Sequence, residues 1–479
     1  MLPRTAIQVV DLAFGDCGKG TVVDHLCRKH PDALVVRFNG GPQAAHNVVD
    51  PDGRHHTFAQ FGSGSFVPGV RTLLSRFVLI EPYALLNEAR HLDLIGVPDP
   101  LGRLSIDARC PVITPAHQAA NRLRELARGA GAHGTCGVGV GETMLDVIGR
   151  PADVLRAGEL ADRRAVRAKL LAACERKAAE LKDVIRGGGL GGGGGGGRGT
   201  DGPARGADLP ASDPSFARAA ATILEPTWVD AAVANYAEVA RHAAILDAPA
   251  ADRLLRESAA LVFEGAQGVL LDENHGFHPH TTWSTTTFAN ADALLAEAGD
   301  DRPRVRLGVL RTYFTRHGAG PFVTEDASIA AAVPEPHNGG SGWQGRFRVG
   351  PFDAVAARYA IAAAGGVDGL AVTHLDRVTK LPPRVCTAYR IDADAGDDEL
   401  FKRRHATVRD IRTPGTVDLD RQARLTARLA ACRPKFADAP SHDVEAFVRV
   451  IEREVGVEVA LTSVGPTAND KYPFRRAGS

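Results

Sequence analysis

Hydrophobic and polar positions along the chain follow two rhythms. Short, nearly continuous apolar runs rich in β-branched residues occur at Ala6–Phe14, Ala33–Phe38, Thr72–Leu79, Ala260–Phe263, Val305–Leu310, Gly369–Thr373 and Val457–Thr462, and each is predicted to be a strand. Between them lie longer stretches with helical periodicity, among them Gly158–Val184, Ser215–Leu246 and Asp353–Ala364. Such alternation predicts an α/β protein with a large, mostly parallel central sheet and flanking helices. One segment fits neither rhythm. Gly187 to Asp208, GGGLGGGGGGGRGTDGPARGAD, is too costly in entropy to order and too poor in apolar groups to pack, so it is expected to be a flexible surface insertion.

Composition narrows the picture modestly. A chain of 479 residues has room for a large core and, on length alone, for roughly three domains. Lys+Arg and Asp+Glu are both 57, so no global field recruits nucleic acid or an anionic membrane, and any basic site must be local. The seven cysteines are odd in number and show no CxxC spacing, which argues against a disulfide framework or structural zinc. With no apolar run of membrane-spanning length and no leader pattern, the expectation is a soluble protein of a reducing compartment.

The first strand runs into AIQVVDLAFGDCGKGT, Ala6 to Thr21. Gly15, Gly18 and Gly20 let backbone approach a ligand closely or take positive φ, Lys19 offers a point charge, and the following helix start offers free N–H groups, so the turn is suited to phosphate. It departs from GxxxxGK[ST] in two ways: Ala13 stands where the first glycine belongs, and Asp16 puts a carboxylate in an anion cradle. A carboxylate there has work to do only if it holds Mg²⁺ or takes a proton.

Other constellations admit two readings each. His46, in RFNGGPQAAHNVV, is either a packed residue or a proton or charge donor beside a sheet's carboxyl edge. HGTCGVGVGET, with Thr135 and Cys136, is either a mobile loop or a second anion site; Cys136 has no basic partner fixed beside it that would make it a nucleophile. In Leu261–Thr287, Gln267 presents a donor and an acceptor suited to a heterocycle edge and Thr282 sits in a hydroxyl-rich run, though the segment also reads as a polar loop. His275, His278 and His280 match no zinc spacing well. Arg346 and Arg348 are two guanidinium forks fit for carboxylates, or ordinary surface arginines. Asp376 can accept from the N1 and N2 hydrogens of guanine, or cap a helix, and TSVGP follows the last strand.

The order and wording of these segments resemble the adenylosuccinate synthetase family, whose members join L-aspartate to IMP using GTP. FEGAQG with LLD, and TRHGAGPFVTED (Thr315–Asp326), carry the resemblance over about residues 6 to 470. It implies a P-loop-related synthetase fold forming a single catalytic domain over 1–479, a cytoplasmic homodimer, and no nucleic-acid or membrane partner. GDCGKGT stands for the family's GDEGKGK and PQAAH for its NNAGH, so Asp16 and His46 take the catalytic roles, with Asp16 and Ala45 as the Mg²⁺ set. The same resemblance assigns Gly15, Gly18, Lys19, Gly20, Asp376, Ser463 and Gly465 to GTP. It assigns Gln43, Thr135, Cys136, Arg150, Gln267 and Thr282 to the purine monophosphate, Arg150 being lent to the neighbouring protomer, and Arg346 and Arg348 to aspartate. Asp16 would take the purine N1 proton so that O6 attacks the γ-phosphate, giving a 6-phosphoryl intermediate that the amine displaces.

Departures concentrate in the pockets: Cys17 for Glu, Gln43 for Asn, Ala45 for Gly, Cys136 for Thr, and His374 for a lysine expected along the guanine. WQGRFRVG is closer to the wording of relatives that act on dGMP, whereas Asp16 argues against that branch, in which serine replaces the aspartate. Two alternatives therefore stand beside adenylosuccinate formation: a specialised ligase using another purine monophosphate, such as GMP or dGMP, or another amine, and a non-catalytic nucleotide-binding regulator.

Overall fold

The apolar runs pair edge to edge in one ten-stranded sheet. A computed structural model describes residues 4–129, 134–187, 213–335, 343–392 and 398–474. In chain order the strands are β1 (Ala6–Asp11), β2 (Leu34–Arg37), β3 (Arg71–Leu74), β4 (Leu104–Asp107), β5 (Ala244–Leu246), β6 (Leu261–Glu264), β7 (Arg304–Arg311), β8 (Gly369–Thr373), β9 (Val459–Ser463) and β10 (Lys471–Pro473). They lie in the order β10-β9-β8-β7-β1-β6-β2-β3-β4-β5. All neighbours are parallel except the edge pair β9 and β10. All seven predicted strands are in this sheet.

Parallel strands need crossovers, and helices covering both faces explain the unbroken hydrophobicity of the central strands. Leu34, Val35, Val36, Leu261, Val262 and Phe263 are completely buried. The registers Val9↔Glu264, Arg37↔Glu264, Asp11↔Val309 and Arg311↔Thr373 bring the carboxyl ends of five central strands to one edge. Loops leaving that edge carry most of the predicted site residues, as expected for an open α/β sheet. Among the described residues no helix is long and apolar enough to cross a membrane.

Several boundaries differ from expectation. The run at Thr72–Leu79 stops being strand at Leu74, where the chain turns with Val78 N–H donating to the Ser75 carbonyl at 2.9 Å. The helix expected from Gly158 starts at Arg163, because Asp162 caps the amides of Arg164 and Ala165 at 3.0 Å each. Ser215–Leu246 is two helices, Pro214–Leu224 and Val229–His242, followed by β5. Pro226 falls in the break and has no N–H to continue a helix. The last strand runs Val459–Ser463 rather than from Val457. β4 and β10 are too short and too polar to have stood out. The glycine tract falls almost wholly outside the described residues.

A separate hairpin pairs Tyr313–His317 with Phe347–Pro351, Arg316 opposite Arg348. Its second strand leads straight into Asp353, which caps helix Ala354–Ala363 through the amides of Val355 (3.1 Å) and Ala356 (3.0 Å) and accepts from the Tyr389 hydroxyl at 2.7 Å. Burial raises the Asp353 carboxyl to about 6. Folding thus favours its protonated form, so the stability it contributes is full below the ordinary carboxylate range and falls as pH rises to about 6. A two-unit shift corresponds to about 3 kcal/mol. Urea unfolding of the Asp353→Asn variant is expected to lose this pH 4-to-6 slope; an unchanged slope would assign it elsewhere.

Candidate active site

The turn after β1 folds around a carboxylate. Asp11, 1 % exposed, accepts from the amides of Ala13 (2.9 Å) and Gly15 (3.2 Å) with Oδ1, and from the Cys17 amide (2.8 Å) and Lys19 Nζ (3.1 Å) with Oδ2. A buried charge survives only when paired and hydrogen-bonded, and this one has four donors. Gly15 (φ 97°) and Gly18 (φ 86°) supply the left-handed backbone the wrap requires. The helix α1 (Lys19–Lys29) then begins at Lys19. Lys19, read as a phosphate contact, is itself buried against Asp11.

Asp16 sits at the crest of the turn with φ 61°, a conformation unusual outside glycine. Its carboxylate is part-exposed and lies 3.3 Å from His317 Nε2. Burial pushes this carboxyl up, but the His317 hydrogen bond and the charges of His317, Arg311 and Lys19 outweigh it, leaving Asp16 below the usual carboxylate range. Cys17 points the other way, into the core. Burial first, then Asp11, drives its thiol well above the ordinary value, so it is inert packing. Its carbonyl accepts from Thr373 Oγ1 at 2.8 Å, tying the turn to the end of β8.

His46 lies beside this turn. Its Nδ1 is 2.6 Å from Glu264 Oε1 at the end of β6, and Glu264 is also held by the Ser63 amide (2.9 Å) and hydroxyl. Those hydrogen bonds and the Arg37 charge outweigh burial and bring the Glu264 carboxyl down to about 2. The ionised Glu264 thereby orients the imidazole, whose own protonation burial disfavours. A Cβ on Gly20 would come within 2.8 Å of the His46 Cβ, so glycine at position 20 is what lets His46 reach the turn.

Two side-chain amides approach the Gly40-Gly41 backbone. A Cβ on Gly40 would stand 3.1 Å from Gln267 Oε1, and one on Gly41 3.0 Å from Gln43 Oε1. Both amide atoms of Gln43, and Oε1 of Gln267, are buried without a hydrogen-bond partner. Unsatisfied buried amides are costly and point to a ligand that completes them. Asn39 locks this corner by bridging the Ala266 amide (2.8 Å) and carbonyl (3.0 Å).

The remaining predicted residues lie on several separate segments. Thr135 accepts from Asn121 at 3.0 Å, and Gly137 packs against the Trp343 ring, joining the Thr135–Cys136 loop to the segment that leads into the arginine strand. The Cys136 thiol is raised by burial. Thr282 is half-buried and donates its amide to the Leu271 carbonyl at 2.8 Å. Arg346 and Arg348 share the Glu325 carboxylate, at 2.7 and 2.9 Å. Thr21 Oγ1 donates to Pro466 at 2.8 Å, so the loop of Ser463 and Gly465 abuts α1. Asp376 is not a helix cap: His374, with φ 60°, holds the cap position of the short helix Leu375–Lys380, and exposed Asp376 pairs with Arg377 at 2.8 Å. Burial and Arg311 keep the His374 ring far below its ordinary pKa and therefore neutral. Ala45 is exposed. Arg150 stands apart on the surface, paired with Glu180 at 3.1 Å. Sequence reasoning assigned no role to Asp11, Glu264 or His317; only the position of Asp11 and Glu264 at strand ends offered a signal.

Among the described residues no three His, Cys, Asp or Glu side chains converge as a metal cage. Asp16, ionised and part-exposed, fits the lesser demand of Mg²⁺, which is commonly held by one or two carboxylates together with substrate phosphates.

Comparison with known proteins gives one consistent answer. The family model described as adenylosuccinate synthetase matches residues 8–188 and 215–472, skipping the stretch that holds the glycine tract. The adenylosuccinate synthetases of Marinomonas sp. (strain MWYL1) and Alkalilimnicola ehrlichii are each 31% identical to the chain. These alignments cover 98% of the chain with 98% of the first relative and 99% of the second. In fold, the chain is similar to the fully ligated adenylosuccinate synthetase from Plasmodium falciparum, with TM-score 0.73 and 17% identity over 98% of this chain and 100% of that one. It is also similar to the cyanophage S-2L succinoaminodeoxyadenylate synthetase bound to dGMP and dATP, with TM-score 0.58 and 18% identity over 98% and 95%.

The Asp11 wrap generates a prediction. Asp11→Ala would leave Lys19 buried and unpaired, and is expected to cost about 3–5 kcal/mol of unfolding free energy. A urea midpoint matching the parent would show that the turn stands without it.

Proposed function

The chain belongs to the adenylosuccinate synthetase family, and on that premise we propose that its turn, dyad and paired amides form one active site joining L-aspartate to IMP at the expense of GTP. It is a ligase that forms a C–N bond. The observation that carries the site assignment is the division of labour between two aspartates on one turn: Asp11 is buried and structural, while Asp16 is part-exposed, ionised and beside Lys19. Gln43 and Gln267 read the edge of the hypoxanthine with their unpartnered amide atoms.

Asp16 accepts the proton from purine N1, and the electron pair so released makes O6 the nucleophile toward the γ-phosphorus. A carboxylate held below its usual range is ionised at neutral pH, so the form that can accept the proton is the one present. His46, braced by Glu264, faces the phosphoryl group in flight. A polyanion beside it adds negative charge, which favours the imidazolium that stabilises transfer. Asp16, with the Ala45 backbone and the nucleotide's own phosphates, would hold Mg²⁺, which would neutralise charge on the transferring group. Phosphate is a far better leaving group than an amide-like oxygen, and the aspartate amine then displaces it at C6. The protein's part is positioning and electrostatics, with no covalent enzyme intermediate.

Arg346 and Arg348 receive the carboxylates of aspartate, Thr135, Cys136 and Thr282 the monophosphate, and Asp376 with Ser463 and Gly465 the guanine. The whole chain acts as a single catalytic domain of a cytoplasmic homodimer. Arg150 ends a helix, Val140–Gly149, whose buried side carries Glu142 and Asp146 while Leu145 and Ile148 are exposed, an arrangement that supports a partner on that face.

Purified protein with Mg²⁺, GTP, L-aspartate and IMP is expected to yield the condensed product by mass. Product from dGMP or GMP and none from IMP would favour the specialised ligase that WQGRFRVG hints at, and nucleotide binding with no product from any of them would favour a regulator. Asp16→Asn is expected to lower kcat by about 10²–10⁴-fold with GTP affinity largely kept; near-parental turnover in that variant would remove the proton-acceptor role.

A further inference from the structure

Glu325 sits where a substrate carboxylate belongs. Its two oxygens are divided between the two arginines of the aspartate loop, Oε1 to Arg346 Nη2 at 2.7 Å and Oε2 to Arg348 Nη1 at 2.9 Å. The contact is built into the fold. Asp326 anchors the segment, donating its amide to the Val349 carbonyl at 2.8 Å and pairing with Arg384 at 2.8 Å. A Cβ on Gly350 would stand 2.1 Å from the Thr324 carbonyl and 3.1 Å from the Glu325 amide nitrogen, so glycine in the arginine strand is what allows the 324–325 backbone to close on it.

The Arg348 fork has little left to offer a newcomer. Arg348 gives Nη1 to Glu325 and Nη2 to the Gly320 carbonyl at 3.0 Å, and its Nε is buried without a partner. No adjacent pair of its nitrogens is free for the two-point grip that a carboxylate prefers. Arg346 is largely exposed and can swing. We infer that Glu325 is an internal stand-in for the substrate's carboxylate: it holds the two like-charged forks together and must be displaced when the dicarboxylate binds, so it sets the affinity for the amine substrate. This rests on the assignment of Arg346 and Arg348 to aspartate.

The test is steady-state kinetics of the full chain at saturating IMP, GTP and Mg²⁺, with L-aspartate varied. Calorimetric titration of L-aspartate into protein loaded with IMP and a non-hydrolysable GTP analogue provides a second readout. Glu325→Gln is expected to lower the aspartate KM and the calorimetric Kd about 3- to 5-fold with kcat little changed, the scale of a part-exposed ion pair. Glu325→Asp, which restores a carboxylate, should return KM towards the parent value, and Glu325→Ala serves as the second variant should the glutamine protein fold poorly. An unchanged or raised KM in Glu325→Gln and Glu325→Ala, with Arg346→Ala still raising it, would make Glu325 a brace and overturn the inference. An unchanged aspartate KM in Arg346→Ala would instead overturn the assignment of the arginines, and the inference with it.

Discussion

Everything at the sheet's carboxyl edge depends on one buried carboxylate with four donors. Asp11 ends the central strand and turns the chain through 3 amides and one ammonium. That wrap fixes where α1 starts, which way Cys17 points, and the height at which Asp16 stands above the edge. The same carboxylate neutralises Lys19 until a competing anion arrives, so the turn is complete without ligand and preorganised for one.

Around this fixed point the chain separates structural from chemical charge. Glu264 and Asp11 are buried, fully hydrogen-bonded and spent on holding other groups. Asp16 and the amides of Gln43 and Gln267 are left with capacity to spare. Glycines at 20 and 40 make the close approaches possible, each removing a Cβ that would collide at 2.8 Å. The paired arginines follow the same logic at the rim, where the Glu325 carboxylate satisfies both.

The sheet was largely legible because buried parallel strands are written as unbroken apolar runs; seven of its ten strands were read, with boundaries off by a few residues where side chains rather than hydrophobicity decide. Asp162 moves a helix start, Pro226 splits a helix, and neither effect shows in periodicity. Within the site, Asp16, His46, Gln267 and the arginines could be read from their local wording. Asp11, Glu264, His317 and Glu325 could not, because each acts through a partner: Glu264 meets a histidine 218 positions away, and His317 meets an aspartate on another loop. Cys17 drew notice as a departure beside the proposed proton acceptor, yet its side chain faces the core, since in this turn neighbours point to opposite sides.

The central claim is that this edge carries a phosphoryl group to the purine oxygen. IMP labelled with ¹⁸O at O6 tests it directly, by mass analysis of the phosphate released when GTP, Mg²⁺ and L-aspartate are supplied. The account predicts one ¹⁸O atom in each phosphate formed per condensed product. Unlabelled phosphate, with the label lost to water or retained on the purine, would contradict it.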